Sequence, residues 1–146
     1  MQAVVFCGVQ ASGKSAFYVE RFFRTHVRIN LDMLRTRRRE RVLLQACLEA
    51  GQRFVVDNTN PTASDRRRYV EPARAAGFEL VAYWFDCSPE EAIARNKGRP
   101  RGERVPAVAI RATHKRLEPP AREEGFDAVY RVRTDSRDRF RAQRTA

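Results

Sequence analysis

The stretch Gly8-Val9-Gln10-Ala11-Ser12-Gly13-Lys14-Ser15 matches the pattern G-x-x-x-x-G-K-[ST] at every fixed position. The apolar run Ala3–Cys7 precedes it and predicts a buried strand, and Lys14–Arg24 follows it and predicts a helix. A glycine-rich turn between a strand and a helix N-terminus points backbone N–H groups at phosphate. The stretch therefore predicts a P-loop that binds the phosphates of a nucleoside triphosphate.

Each residue type in this loop predicts a chemical role, and we expect all of Gly8–Ser15 to line the ATP site. Gly8 and Gly13 permit backbone turns that other residues resist. Lys14 is expected to reach the β- and γ-phosphates as a catalytic residue, and the Ser15 hydroxyl to ligate Mg²⁺. The alternative is a degenerate loop that is kept only for packing.

Predicted strands and helices alternate along the rest of the chain. The strands are Ala3–Cys7, His26–Asn30, Arg53–Asp57, Phe78–Cys87 and Phe126–Arg133. The helices are Lys14–Arg24, Leu31–Ala50, Ala63–Ala76 (which Pro72 could kink), a helix capped by Ser88, and Pro106–Leu117. This alternation predicts an α/β fold: a single P-loop NTPase-type domain of three layers, with a mostly parallel sheet and helices on both faces.

The composition indicates one globular domain with an anionic partner. The chain has 146 residues, is 42% hydrophobic and carries a net charge of +11. The excess is uneven, because residues 1–94 carry +3 and residues 95–146 carry +8. Nucleic acid, phosphates or a membrane surface would suit this charge, and a GC-rich genome is the alternative explanation. We expect residues 134–146 to form a frayed basic tail.

Two further features of the composition bear on where the protein works. No signal peptide is visible, and no apolar run approaches the ~18 residues that cross a bilayer, so we expect a cytoplasmic protein without a membrane partner. Cys7, Cys47 and Cys87 each lie in an apolar stretch, with neither disulfide nor zinc spacing. We expect them to be small buried hydrophobic residues.

The acceptor of the phosphoryl group is first indicated by Asp32, which follows the second predicted strand. Ligands in such folds bind at the carboxyl ends of strands. A carboxylate there could take the proton of an attacking hydroxyl. Arg35 lies one helical turn further on, where it could hold a phosphate. The alternative for Asp32 is a helix N-cap or a first-turn acid.

Two more clusters could serve phosphoryl transfer. Asp57 ends the third predicted strand and could bind Mg²⁺ through water, although Asp57–Pro61 could instead be a turn and cap cluster. Arg95 and Arg99, with Arg101 and Arg104, could reach the transferred phosphoryl group from a closing lid at about residues 97–105. The alternative is a solvated basic face.

Together these residues resemble the kinase domain of 5′-hydroxyl polynucleotide kinases of the phage and animal repair type. The resemblance covers roughly Ala3–Arg133, taken as the kinase domain, and leaves 134–146 as the tail. Its specific elements are Asp32 with Arg35 (D-x-x-R), Val56–Pro61 with Arg66, Arg68, Tyr69 and Val70 downstream, Arg95–Arg99 (R-N-x-x-R), Val105-Pro106, and Glu124–Phe126.

The resemblance implies that Asp32 is the general base toward the 5′-hydroxyl, and that Arg35 and Arg68 lie on the acceptor side. It also implies that Arg95 and Arg99 contact nucleotide phosphates, with Arg99 assisting catalysis. Kinase domains of this family are commonly joined to a phosphatase or another repair domain, and none is visible here. A phosphatase or ligase would then be a separate partner.

Three functions remain open from the sequence. The first is Mg²⁺- and ATP-dependent phosphorylation of the 5′-hydroxyl end of RNA or DNA. The second is phosphorylation of a small hydroxyl compound, such as a metabolite, nucleoside or antibiotic, in which Arg35 would have no phosphate to hold. The third is a non-catalytic, nucleotide-gated binding protein, for which Asp32 would move no proton.

Overall fold

A computed structural model describes the whole chain, Met1–Ala146. The strands are β1 (Gln2–Cys7), β2 (Val27–Ile29), β3 (Phe54–Val56), β4 (Glu79–Phe85), β5 (Ala128–Thr134) and β6 (Phe140–Arg144). The α-helices are α1 (Lys14–Arg21), α2 (Leu31–Leu34), α3 (Arg37–Ala50), α4 (Ala63–Ala75), α5 (Pro89–Lys97) and α6 (Ala107–Arg116). Two short 3₁₀ helices cover Arg101–Glu103 and Arg122–Glu124.

The six strands form one sheet in the order β2-β3-β1-β4-β5-β6, and every pair is parallel except β5 with β6. Alternate residues of β1 face opposite layers, because Val5 packs with α3 and α4 while Val4 and Phe6 pack with α1. The predicted three-layer α/β domain is confirmed. No helix combines the length and apolar character needed to cross a membrane.

The predicted helix Leu31–Ala50 is wrong in one respect, since it is two helices. Arg35 has φ 76° and ends α2, and Thr36 then caps α3 by accepting a hydrogen bond from the Arg39 N–H. A threonine oxygen at this position satisfies a free N–H group of the new helix, which favours a restart over a continuous helix. The apolar pattern alone did not reveal this break.

The expectation of a frayed C-terminal tail is also wrong, because residues 140–144 form the sixth strand. Asp135 closes the hairpin by accepting from the N–H groups of Arg137 and Arg139, and these bonds hold its pKa at about 2. Phe140 packs edge-on against Phe17 of α1, with ring centroids 5.3 Å apart. A tight turn and one aromatic anchor therefore order a segment that its basic composition made look disordered.

The three cysteines are buried free thiols, as predicted. Burial raises the pKa of Cys7 to about 11 and that of Cys87 to about 11. A thiol with a raised pKa carries little thiolate near neutral pH, which agrees with the expected packing role of these residues.

A buried ion pair holds the β3–α4 loop that borders the P-loop. The Arg66 guanidinium is fully buried and donates two hydrogen bonds of 2.8 Å to the carboxylate of Glu124. It donates a third, also of 2.8 Å, to the carbonyl oxygen of Asn60. Asn60 in turn donates to the Phe6 carbonyl, which ties this loop to β1.

We predict that Glu124→Ala lowers the free energy of unfolding by about 3 kcal/mol, because it leaves Arg66 charged, buried and without its carboxylate. Urea denaturation measures this loss. The double variant Arg66→Met/Glu124→Leu is expected to lose less, since it removes both charges. A loss below about 1 kcal/mol for Glu124→Ala would contradict the assignment of this pair as a stabilising contact.

Candidate active site

The P-loop leaves β1 as a tight turn whose glycines are required by space and by backbone angle. A Cβ atom at Gly8 would lie 2.8 Å from the Cβ of Phe85, and Gly13 has φ +98°. Gly13 is also the N-cap of α1 and supplies no side-chain cap. The N–H groups of Gln10, Ala11 and Gly13 donate to no backbone carbonyl, so the loop presents free donors at a helix N-terminus.

Lys14 lies across the loop with its Nζ buried. It donates to the carbonyl oxygens of Val9 at 2.7 Å and Gly8 at 3.0 Å. Burial lowers the pKa of Lys14 to about 8, while the nearby carboxylate of Asp57 opposes this shift. The cation is thus held within the loop, where phosphate oxygens would replace the carbonyl groups as its partners.

Ser15 and Asp57, the two predicted magnesium ligands, lie together. The β1–β3 register aligns Val5 with Val56, so both strands end at the same edge of the sheet. The Ser15 Oγ donates to the Asp57 Oδ2 across 2.9 Å. A hydroxyl and a carboxylate oxygen fit Mg²⁺, which takes few protein oxygens beside phosphate and water. The role of both residues as ligands stays a prediction.

The same two oxygens bind a residue that the sequence analysis missed, Arg28 of β2. Its Nε donates to the Asp57 Oδ2 at 2.9 Å and its Nη2 to the Ser15 Oγ at 3.0 Å. The alternation of side chains along β2 could have revealed the position of Arg28, because Val27 and Ile29 pack on the α3–α4 side. Arg28 therefore faces the α1 side, which carries Ser15.

The start of α2, which carries Asp32, is fastened to the end of β3 by two asparagines. Asn30 caps α2 by accepting from the Met33 N–H, and its amide donates to the Asp57 carbonyl at 2.6 Å. The Asn58 side-chain oxygen accepts from the Leu31 N–H at 2.9 Å. Asp32 is hence a first-turn acid and not the N-cap, and its exposed carboxylate makes no hydrogen bond or ion pair.

Asn58 is itself held by a buried polar cluster. Its amide donates to the Glu40 carboxylate at 3.1 Å, and that carboxylate also accepts from the Tyr69 hydroxyl at 3.1 Å and from Arg37 at 2.7 Å. Glu40 is only 1% exposed. The start of α2, which carries Asp32, therefore rests on a fully partnered network that reaches α3 and α4.

The two arginines predicted on the acceptor side differ in their surroundings. Arg35 follows α2 directly and is exposed, without an internal partner. Arg68 is exposed on α4 and makes no polar contact with the P-loop or with Asp32. Its neighbour Arg66 is the buried member of this stretch. The acceptor roles of Arg35 and Arg68 stay predictions.

The predicted lid arginines lie on the other side of the P-loop. Arg95 of α5 donates to the Ser12 carbonyl at 3.1 Å and to the Thr134 hydroxyl at 3.0 Å, while the charge of Arg99 helps to lower the pKa of Lys14. The Asn96 side chain pairs twice with the backbone of Val105, at 2.6 and 3.0 Å. This pairing closes the base of the segment between α5 and α6.

The P-loop, the order of the parallel strands and the acidic residue after β3 together define an α/β domain of the P-loop NTPase type. Comparison with known proteins gives the family. Residues 4–120 match the family AAA_33, described as an AAA domain, and the chain belongs to that family.

A bifunctional polynucleotide phosphatase/kinase of Schizosaccharomyces pombe is similar in sequence, with 29% identity over 90% of this chain. The chain spans only 33% of that relative's length.

Two solved structures share the fold. A gluconokinase of Sinorhizobium meliloti superposes with TM-score 0.59 at 22% identity, over 90% of this chain and 82% of its own. The APS kinase of Mycobacterium tuberculosis, in complex with AMPPNP and APS, gives 0.57 at 20% identity, over 92% and 88%.

We predict that Lys14→Ala weakens ATP binding roughly tenfold or more, because the phosphates lose their closest buried cation. Isothermal titration calorimetry measures the affinity, and circular dichroism checks the fold. Lys115→Ala on the exposed face of α6 is the matched control and should bind ATP normally. Equal ATP affinity in the two variants would refute the role of Lys14.

Proposed function

We propose that this domain transfers the γ-phosphate of ATP to the 5′-hydroxyl end of RNA or DNA. The observation that carries the proposal is the position of Asp32. It is an unpaired carboxylate on a helix fastened to the end of β3, next to the strand that leads into the P-loop. The similarity to a protein named polynucleotide phosphatase/kinase supports the same acceptor.

In the proposed reaction, the P-loop N–H groups and Lys14 hold the phosphates of ATP. Ser15 and Asp57 are the residues that would hold Mg²⁺, which neutralises charge on the phosphate oxygens when bound. Asp32 accepts the proton of the 5′-hydroxyl as its oxygen bonds to the γ-phosphorus. The bond from that phosphorus to the bridging oxygen breaks, and ADP leaves. Arg95 and Arg99 balance the negative charge that moves onto the bridging oxygen.

The surface beside Asp32 supports a polyanionic acceptor. Arg35, Arg38 and Arg41 are exposed around the α2–α3 break and form no ion pair. The first turn of α3 contains Arg37-Arg38-Arg39, although the N-terminus of a helix already favours negative charge. So many positive charges at a helix N-terminus lower the stability of the folded chain. They would instead suit the phosphates of a nucleic-acid strand that extends from the 5′ end.

A second candidate is phosphorylation of a small hydroxyl compound. The gluconokinase and the APS kinase cover most of this chain and are themselves matched over most of their own lengths. The same general base would serve such an acceptor. The arginines beside Asp32 would then have no strand to contact, and this difference separates the two candidates.

We predict transfer of labelled γ-phosphate from ATP to an oligonucleotide with a 5′-hydroxyl, and none to its 5′-phosphorylated copy. Asp32→Asn should lower kcat by about 10²–10⁴-fold, because the hydroxyl loses its proton acceptor. Its affinity for ATP should stay unchanged, which excludes a folding defect. Transfer at the normal rate by Asp32→Asn, or no transfer by the parent chain, would overturn the proposal.

We further predict that kcat/KM rises with acceptor length, from a nucleoside 3′-phosphate to an octanucleotide. Arg38→Ala/Arg41→Ala should flatten this rise and reduce the slope of log affinity against log salt by about 0.7 for each phosphate that an arginine no longer neutralises. Arg74→Ala/Arg122→Ala, which removes two exposed arginines at the opposite end of the strands, is the matched control. If the rise of kcat/KM with acceptor length survives in Arg38→Ala/Arg41→Ala but is lost in the control, the proposed contact between these arginines and the acceptor strand is wrong.

A further inference from the structure

Arg28 binds the same two oxygens that would bind a divalent cation. Its guanidinium lies 2.9 Å from the Asp57 Oδ2 and 3.0 Å from the Ser15 Oγ. The Asp57 Oδ2 and the Ser15 Oγ are the same oxygen atoms that we expect to bind Mg²⁺, which prefers such hard oxygen ligands. A guanidinium and a metal ion both carry positive charge, and they cannot share one carboxylate oxygen at contact distance without strong repulsion.

We propose that Arg28 is an internal cation that competes with Mg²⁺ for Ser15 and Asp57, so that metal-bound ATP has to displace it. The inference rests on the magnesium assignment of the proposed function and goes beyond it. It adds an electrostatic gate to the nucleotide site.

The burial of Asp57 explains why a competing cation is useful. The Asp57 side chain is 1% exposed, and a buried carboxylate without a cation or hydrogen bonds is strongly destabilising. Arg28 supplies both a charge and hydrogen bonds, so the Ser15–Asp57 pair is held in place before the nucleotide arrives.

The position of Arg28 in the sheet allows it to leave. Strand β2 is the edge of the sheet, with β3 as its only neighbour, and the Arg28 side chain is 29% exposed. Its long side chain can therefore turn toward solvent without disturbing a neighbouring strand. Asp57 belongs to the loop after β3 and has no such freedom, because its side chain is short and 1% exposed and its backbone N–H donates to the Ile29 carbonyl.

Competition between Arg28 and Mg²⁺ predicts the direction in which the effect of Mg²⁺ on ATP binding changes when Arg28 is replaced. In Arg28→Gln the metal no longer displaces a cation, so Mg²⁺ should strengthen ATP binding about tenfold more than it does in the parent chain. The readout is the ratio of the ATP dissociation constant in EDTA to that in saturating Mg²⁺. Arg53→Gln, which removes an exposed arginine before β3 that forms no ion pair, is the matched control and should keep the parent ratio.

Thermal unfolding without nucleotide gives a second readout. Arg28→Gln should melt roughly 5 °C lower in EDTA, because the buried Asp57 carboxylate loses the guanidinium that is hydrogen-bonded to it. Excess Mg²⁺ should then raise the Tm of this variant more than that of the parent chain. Arg28→Lys, which keeps the charge on a single-pronged donor, should lie between the two in both measurements.

Three outcomes would overturn the inference. An equal Mg²⁺ ratio in the parent chain and Arg28→Gln would show that the guanidinium and the metal do not compete. A weaker Mg²⁺ effect in the variant would show that Arg28 helps to bind the metal-nucleotide complex. No Mg²⁺ effect in any chain would remove the magnesium assignment together with the gate, whereas the acceptor of the proposed function is tested separately by the oligonucleotide assay.

Discussion

The buried carboxylate of Asp57 is the constraint on which the site depends. It directly follows β3, beside the end of β1, and it contacts Ser15 and Arg28 through one oxygen. Its backbone carbonyl accepts from Asn30, so helix α2, which carries Asp32, takes its position from the same residue. A negative charge that is removed from water needs compensating donors, and Ser15 of α1 and Arg28 of β2 supply them.

The arginines of the chain differ in their partners, and some of these differences bear on the site. Arg28, Arg37 and Arg66 are paired with the buried carboxylates of Asp57 and Glu40 and with largely buried Glu124, where they hold the loops around the P-loop. Others, such as those at the α2–α3 break, are exposed and unpaired. Most of the net charge of +11 lies in residues 95–146, and the exposed arginines at the α2–α3 break form a second basic patch beside α2.

Sequence reasoning could predict those parts of the fold that depend on local pattern. Gly8–Ser15 and the alternation of strands and helices identified the P-loop domain. The predicted roles of Ser15 and Asp57 as Mg²⁺ ligands implied that the two residues lie close together. The break at Thr36 and the hairpin closed by Asp135 were not predicted from the sequence. Each depends on a few polar hydrogen bonds, and the composition of the two segments favoured a continuous helix and a frayed tail instead.

Within the site, contacts between residues that lie far apart in the sequence were harder to predict. Arg28 contacts a helix 13 residues earlier and a strand end 29 residues later, and no motif records such a pairing. Glu40 likewise reads as a helix-surface acid, and only the packing of α3 against α4 buries it beside Tyr69. Side chains that position other residues carry no fixed spacing, so they become visible only when the sheet brings distant segments together.

The proposed reaction passes a phosphoryl group from ATP to the 5′ end of a polynucleotide. A competition in one reaction tests it, in which the chain, ATP and Mg²⁺ meet a 5′-hydroxyl oligonucleotide, a nucleoside and gluconate at equal concentrations. Mass spectrometry then identifies which compound gains a phosphoryl group. We expect the oligonucleotide to gain it first and at its 5′ end. Phosphorylation of the nucleoside or of gluconate ahead of the oligonucleotide would refute the polynucleotide acceptor and favour a small-molecule kinase.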